Sequence, residues 1–510
     1  MKQKDTIVLV LLVLTKFILQ YVLIDSSYDL HRDEYLHLDQ ANHLAWGFHS
    51  VPPFTSWLSW LIRLLGNGVF WVKFFPALFG ALTLVVVWRT INYLGGDLRA
   101  KLLGGFGVLF SVLLRLNTLY QPNSFDALSW TLVLYCLIRY LKDEQTKYLY
   151  CTAVALAIGF LNKYNIAFLL MGLLPALLIG SQGRVFGRRE LYLAGTVALL
   201  LVLPNLMWQY QNGFPVYHHM NELASTQLVN VNRFTFLSTQ PLFFTGSLLV
   251  IMAGLWALWF HRPFRQLRCL FWTMIIVLAL YTWLRAKDYY AIGLYPTYIA
   301  LGAVYISSLL RKKWGQVIYI ILLASPVFYF AYTYNFLYPN KTPEYIIANH
   351  DRYKNMGLLR WEDGKDHELP QDYADMLGWQ ELAVKLDAVY SRLNKQKSTL
   401  VICDNYGQAG AVNFYGRQNI RAASFNADYV NWFELDQPYT QLIRVISAPV
   451  LKSEFEETAQ YFKVAFVADS IANPYAREYG TAICVFQQTD LNINEVIRLE
   501  VEERQLGRRW

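Results

Sequence analysis

The sequence predicts an α-helical polytopic membrane protein with a soluble α/β domain at its C-terminal end, and three observations carry that prediction. Hydrophobic residues make up 55% of the 510 residues and charged residues 16%, against about 25% charged in an ordinary soluble chain. Apolar runs of about 18 residues or more recur along the first two thirds, each long enough to cross a hydrocarbon core of about 30 Å. They stop near Tyr338, where the charge balance changes sign: residues 1–340 hold 26 basic and 13 acidic side chains, residues 341–510 hold 19 and 24. A membrane domain over residues 1–338 and a soluble domain over residues 339–510 are therefore expected.

Spans begin near Thr6, Val69, Leu102, Phe125, Tyr148, Ile166, Leu191, Pro241, Leu267, Tyr289 and Gln316, for about 11–13 transmembrane helices. The first is expected to persist, because Lys16 interrupts it and no small-x-small cleavage site precedes the acidic stretch that follows. Alternate connections carry 17 of the 26 basic residues of this half, from Lys2 and Lys4 through Arg89, Arg99 and Lys101 to Arg311, Lys312 and Lys313. By the positive-inside bias those connections and the N-terminus are cytoplasmic, and the first outer loop, residues 25–68, and the C-terminal domain are extracytoplasmic. In that loop Phe54 to Leu65, with Trp57, Trp60 and Arg63, reads as an interfacial amphipathic helix. The stretch from Trp208 to Gln240 is too long and polar for a turn and reads as a lid loop. Its His218-His219 pair reads as a metal pair or as two solvated imidazoles.

In the last 170 positions Tyr373, Met376, Leu377, Leu382, Leu386, Val389 and Tyr390 recur at helical spacing. Thr399–Cys403, Leu442–Ile446, Phe462–Val467 and Thr481–Phe486 read as short buried strands, which makes a small α/β domain. Cys403 and Cys484 are expected as two buried strand thiols rather than a bridge. The basic first half is the positive-inside signature and no soluble face interleaves basic and aromatic residues, so the expected partners are membrane lipids and not nucleic acid.

Acid is concentrated in one place. Of the 13 acidic residues before position 341, Asp25, Asp29, Asp33, Glu34 and Asp39 fall within 15 positions of the first outer loop. A partly desolvated carboxylate there can take a proton from a hydroxyl; a solvated helix start whose acids complement the macrodipole would read the same way. Neighbours on a helix point about 100° apart, so Asp33 and Glu34 are expected to have different tasks. Asp126, Lys163 between Asn162 and Asn165, and Arg285 with Lys287 fall in the same outer layer. Each charge is costly in lipid, about 2.5–3.5 kcal/mol at mid-span, while Arg and Lys together can hold a phosphate. Snorkelling to headgroups is the alternative for Arg285 and Lys287.

These residues carry a resemblance. Asp33-Glu34-Tyr35, His43-Leu-Ala-Trp-Gly-Phe48 and Pro52-Pro53 resemble the first outer loop of GT-C membrane glycosyltransferases, in the branch that includes aminoarabinose transferase and is related to the protein O-mannosyltransferases. Gly159-Phe-Leu-Asn-Lys163-Tyr164, Lys287-Asp-Tyr-Tyr290 through Leu294-Tyr-Pro296, and Asp404-Asn-Tyr-Gly-Gln-Ala-Gly410 with Asn413-Phe-Tyr-Gly416 are similar to further family segments in the same order.

The resemblance implies an inverting enzyme that moves a sugar from a polyprenyl-phosphate carrier to an acceptor hydroxyl of a lipid, glycan or protein, in a bacterial plasma membrane or, as the alternative, an endoplasmic reticulum membrane. Asp33 would be the general base and Glu34 a supporting acid that orients or binds substrate. Lys163, Arg285 and Lys287 would hold the donor phosphate, with Tyr289 and Tyr290 as hydrogen-bond donors, since a phosphate leaving group needs cations rather than an acid. Arg32, Tyr35, Asp126 and His49 would support the site, Asp126 through the fold or by pairing with Arg32. Many relatives place Asp or His, or Glu and Lys, immediately before the Pro-Pro pair; here the residues are His49-Ser50-Val51. No certain cofactor follows, and the metal stays unknown, with a divalent ion open. A multi-spanning transporter or lipid flippase is the competing class, though it more often shows repeated halves and mid-bilayer charges.

Overall fold

The computed structural model describes residues 3–180, 182–226, 228, 231–311, 313–393 and 397–507; Lys2 and Lys312 of the positive-inside pattern lie outside the described residues. In chain order the first half holds α1 (Gln3–Val22), α2 (Arg32–Asp39), α3 (Phe54–Leu64), α4 (Val69–Tyr93), α5 (Leu98–Leu109), α6 (Leu113–Leu116), α7 (Pro122–Asp143) and α8 (Thr146–Asn162). It continues through α9 (Ile166–Ile179), α10 (Arg189–Gln211), α11 (Pro215–Thr226), α12 (Arg233–Phe243), α13 (Leu248–Phe260), α14 (Cys269–Trp283), α15 (Tyr295–Leu309) and α16 (Lys313–Thr333).

Each expected span overlaps a helix, but not always at the expected length: the one near Leu102 meets α5, 12 residues long, and the one near Tyr148 meets α8, 17 residues long. Among the described residues five runs are long and apolar enough to cross a membrane: Gln3–Val22, Val69–Tyr93, Arg189–Gln211, Asp288–Leu309 and Gly315–Thr333. The pair Arg233–Phe243 and Thr245–Phe260, bent by 65°, makes a sixth if counted as one. The remaining expected spans are shorter or more polar: α9 and α14 have 14 and 15 residues, and α7 carries Asp126, Arg139, Lys142 and Asp143.

Local sequence explains the elements that frame the site. His31 caps α2 by accepting from the Asp33 N–H at 3.2 Å, while the Glu34 carboxylate accepts from the His31 N–H at 2.6 Å; this capping box turns Glu34 inward. Helix α3 buries Thr55, Ser56, Ser59 and Ile62 and exposes Trp60, Leu61 and Leu64, as expected of an interfacial helix. Pro122 starts α7 in its first turn, where a missing N–H costs nothing. The stretch expected as a lid loop is instead helical over α11 and α12, anchored by buried Leu223 and Phe236.

The C-terminal part contains α17 (Pro343–Ala348), α18 (His350–Asn355), α19 (Gln371–Ala374), α20 (Trp379–Arg392), β1 (Thr399–Cys403), α21 (Tyr406–Tyr415) and β2 (Ala422–Ser424). It ends with β3 (Gln441–Ile446), α22 (Leu451–Ala459), β4 (Val464–Ser470), β5 (Ala482–Gln487) and α23 (Ile493–Gly507). The sheet order is β2-β1-β3-β5-β4, with β1 parallel to β2 and β3, and β5 antiparallel to β3 and β4. The single helix expected from Tyr373 to Tyr390 is two, broken at Gly378, whose φ of +86° suits glycine. Strand β2, three small residues long, had no periodic signal. Cys403 and Cys484 are buried free thiols in separate apolar clusters. Tyr28, Leu36 and Phe336 share a core with Tyr373, Met376 and Leu386, so the two parts of the chain are packed together through side chains of both.

Candidate functional site

A cavity of about 690 Å³ lies at this seam, and both parts of the chain line it. Asp33, in the first turn of α2, faces it. Its Oδ1 accepts from the Tyr406 hydroxyl at 2.7 Å and its Oδ2 from Gln121 Nε2 at 3.1 Å. Arg32 Nε stands 3.8 Å from Oδ1 and His31 Nδ1 4.0 Å from Oδ2. Burial pushes the Asp33 carboxyl up, but the neighbouring His31 and Arg32 and the Tyr406 hydrogen bond outweigh it and hold the group at about 2. It is a carboxylate at any working pH.

A chain of amides joins this carboxylate to a cation. Lys163 Nζ donates to Asn123 Oδ1 at 2.7 Å, Asn123 Nδ2 to Gln121 Oε1 at 2.8 Å, and Gln121 Nε2 to Asp33. The turn bearing Lys163 is pinned on both sides, by Asn162 donating to the Pro122 carbonyl at 2.9 Å and Asn165 donating to Asp126 at 2.7 Å. Burial brings the Lys163 ammonium down to about 8, against the pull of Asp126 and with the push of Lys287. The ammonium lies 4.2 Å from the Tyr290 ring centre and 5.3 Å from that of Tyr289. Lys287, 3.7 Å from Glu362, completes the cationic wall, and Tyr289 and Tyr290 line the same cavity.

Four expected site residues lie elsewhere. Glu34 is fully buried, its oxygens 2.8 and 2.9 Å from Lys73 Nζ and one of them accepting from the Tyr120 N–H at 2.6 Å. Through these bonds it ties the Asp33 turn to α4 and to the segment before α7. Tyr35 is buried among Trp379, Phe414 and Tyr415. Asp126 accepts from Trp130 Nε1 at 3.0 Å and from Asn165, and does not pair with Arg32. Arg285, with a φ of +55°, is outside the cavity lining. Arg32 and His49 do line it.

His49, His219 and Glu222 bring their ligand atoms within 4.8 Å of one another. Two imidazoles and a carboxylate fit a zinc-like divalent ion with an open fourth position. Burial lowers the His219 pKa, which favours the neutral ligating form. His218, the other half of the expected pair, is not in this group. The Asp428 carboxylate accepts from the His49 N–H at 2.6 Å and from Gln40 Nε2 at 3.1 Å, fixing the His49 backbone.

Sequence reasoning missed Gln121 and Asn123, whose signal is a pair of amides around a helix-starting proline. Tyr406 entered only as part of a family-like segment, and Lys73 was given no role although it is a cation inside an apolar span.

A second cavity, about 660 Å³, lies wholly in the C-terminal domain. There Arg444 bonds Glu454 and stands 3.6 Å from Asp404, and Arg504 bonds Glu500 at 2.8 Å.

Residues 50–208 match the family model described as dolichyl-phosphate-mannose-protein mannosyltransferase. The lipid A galacturonosyltransferase RgtD of Rhizobium johnstonii is 24% identical over 306 residues, 55% of this chain and 61% of that protein. The match thus spans less than two thirds of that curated relative. ArnT of Cupriavidus metallidurans, solved bound to undecaprenyl phosphate, superposes with a TM-score of 0.61 at 16% identity over 93% of this chain and 97% of its own. Its apo structure superposes with a TM-score of 0.62, also at 16% identity, over 95% and 98%.

Proposed function

We propose that this chain, whose fold and family likeness are those of the GT-C membrane glycosyltransferases, transfers a sugar from a polyprenyl-phosphate carrier to an acceptor hydroxyl with inversion at the anomeric carbon. The observation that carries the reading is the hydrogen-bonded line Asp33, Gln121, Asn123, Lys163, which sets a carboxylate and a cation at two ends of one cavity wall. The acceptor oxygen attacks the anomeric carbon, the bond from that carbon to the phosphate oxygen breaks with its electron pair on phosphate, and the hydroxyl proton passes to Asp33. A carboxylate held at about 2 is a weak base in the resting state. It accepts the proton only as the attacking oxygen becomes acidic in the transition state. Lys163 and Lys287 stabilise the departing phosphate, Tyr289 and Tyr290 can donate to it, and no general acid is required.

The likeness to a protein crystallised with undecaprenyl phosphate supports the carrier class. RgtD, by its name a lipid A galacturonosyltransferase, favours a lipid over a glycan or protein acceptor. The extracytoplasmic face of a bacterial plasma membrane is the proposed location, since the basic connections lie on the other side of the spans. A divalent ion held by His49, His219 and Glu222 would supply a fixed positive charge at the rim, where it can bind an acceptor anion. The test is transfer from radiolabelled polyprenyl-phosphate sugars by the full chain in lipid: label leaves the carrier with wild type and stays with Asp33→Asn. Equal turnover by both proteins would remove the proposed base.

A further inference from the structure

Helix α21 of the C-terminal part lies along the acidic helix α2, with contacts at helical spacing. Tyr406 bonds Asp33 and, two turns on, Asn413 Nδ2 donates to Asp39 Oδ2 at 2.6 Å. Between them the approach is too close for any side chain on α21. A Cβ at position 407 would stand 2.4 Å from Arg32 Cγ, and one at position 410 would stand 2.7 Å from Tyr35 Cβ. Gly407 and Gly410 are therefore what bring the Tyr406 hydroxyl to the carboxylate.

The helix start is itself held. The Asn405 side chain accepts from the Gln408 N–H at 3.1 Å, and the Asn405 and Gln408 amides donate to Glu478 at 3.1 and 2.8 Å. Arg32 lies 5.2 Å from the centre of the Tyr406 ring. Burial keeps the phenol pKa well above its ordinary value, so the hydroxyl is a standing donor.

A carboxylate on a helix turn is free to rotate about its terminal bond unless both oxygens are bound. Here one donor comes from each part of the chain, Gln121 from the membrane half and Tyr406 from the C-terminal part. We infer that Tyr406 is a positioning residue for the transfer, fixing Oδ1 of Asp33 so that Oδ2, beside Gln121 on the cavity wall, is presented to the acceptor hydroxyl. The C-terminal part is then a component of the catalytic site. The inference rests on the base role proposed for Asp33.

Tyr406→Phe keeps the ring over Arg32 and removes only the hydroxyl. In transfer assays kcat should fall by about tenfold to a hundredfold with the donor KM unchanged, the pattern of an interaction that acts on the transition state. A second readout needs no turnover. Carbodiimides label protonated carboxyls, and losing a hydrogen bond to the charged form raises a carboxyl pKa. The other groups facing Asp33 stay in place: His31 and Arg32 beside it, His37 one turn on, Asp375 behind His31, and Tyr289 across the cavity. Asp33 in Tyr406→Phe should therefore be labelled about tenfold faster at pH 5 than in wild type, one pKa unit's worth, read by mass spectrometry on the full chain in lipid. Gly410→Val, which pushes α21 off Tyr35, should reproduce both effects. Wild-type labelling and wild-type kcat in Tyr406→Phe would overturn the inference, and so would faster labelling with unchanged kcat. A wild type that releases no sugar from any carrier would instead sink the base role, and the positioning role with it.

Discussion

The two cavities are nearly equal in size, about 690 Å³ at the seam and about 660 Å³ in the C-terminal domain, yet their charges are used differently. In the domain cleft Arg444 is divided between Glu454 and Asp404, Arg504 is held by Glu500, and Asp404 also accepts from the Ser447 N–H at 2.6 Å. Those charges are consumed by the fold. At the seam Lys163 is held by an amide oxygen and pairs with no carboxylate among the described residues, while the hydrogen bonds to Asp33 come from neutral donors, with Arg32 Nε 3.8 Å away. Lys163 and Asp33, kept apart by two amides, both face the cavity. Volume therefore does not locate chemistry; a cation and an anion that line one cavity without bonding each other do.

The largest expected effect separates the cavities outright. Asp33→Asn should lower transfer by at least about a thousandfold, of order 4 kcal/mol in barrier, whereas Glu454→Gln in the domain cleft should stay within about twofold. A large loss in the second variant would make the domain cleft part of the active site.

Next comes the buried pair under the seam. Lys73→Met leaves Glu34 charged and without its partner, and should cost about 3–5 kcal/mol of stability. Thermal unfolding in detergent would read it, and adding Glu34→Gln should recover part of the loss. An unchanged melting temperature would mean that the Glu34 clamp is not what holds the Asp33 turn.

Lys163 sharpens the comparison through pH. Its pKa is lowered to about 8, so the ammonium needed to hold phosphate is present below that value and lost above it. The rate should fall as pH rises through about 8. Lys163→Arg should move that alkaline limb upward, and Lys163→Met should abolish it while costing about 2.7 kcal/mol, a hundredfold. An alkaline limb that persists in Lys163→Met would assign it to another group.

The smallest expected effect is at the rim. Zinc added at about 10 times its Kd to chelator-treated protein should stabilise wild type by about 1.4 kcal/mol, and should not stabilise His49→Ala or His219→Ala. Equal stabilisation of all three proteins would move the metal elsewhere.

Much of this was legible in the chain. The spans, the C-terminal strands and the interfacial helix follow from apolar run length and period, which are properties of neighbouring residues. Asp33 stood out because acid is concentrated around it, and Lys163 because charge is rare where it sits. Glu34 was legible as an acid but not as a clamp, because its direction depends on a capping box with His31 and on Lys73, which sits 39 positions away. Arg285 and Asp126 shared the outer layer with the cavity, but layer is set by sequence position and facing is set by packing. The lid expected from polarity became two helices once Leu223 and Phe236 found a core.

By itself the sequence determined a membrane-embedded helical half, a small sheet domain and the few charges worth watching. Only the tertiary structure decided which of those charges meet: Asp33 finds Gln121 88 positions on and Tyr406 373 positions on, and Lys163 reaches Asn123 across 40. Periodicity and apolarity act through neighbours in the chain, whereas a hydrogen bond of about 3 Å between distant residues exists only after every intervening helix has packed.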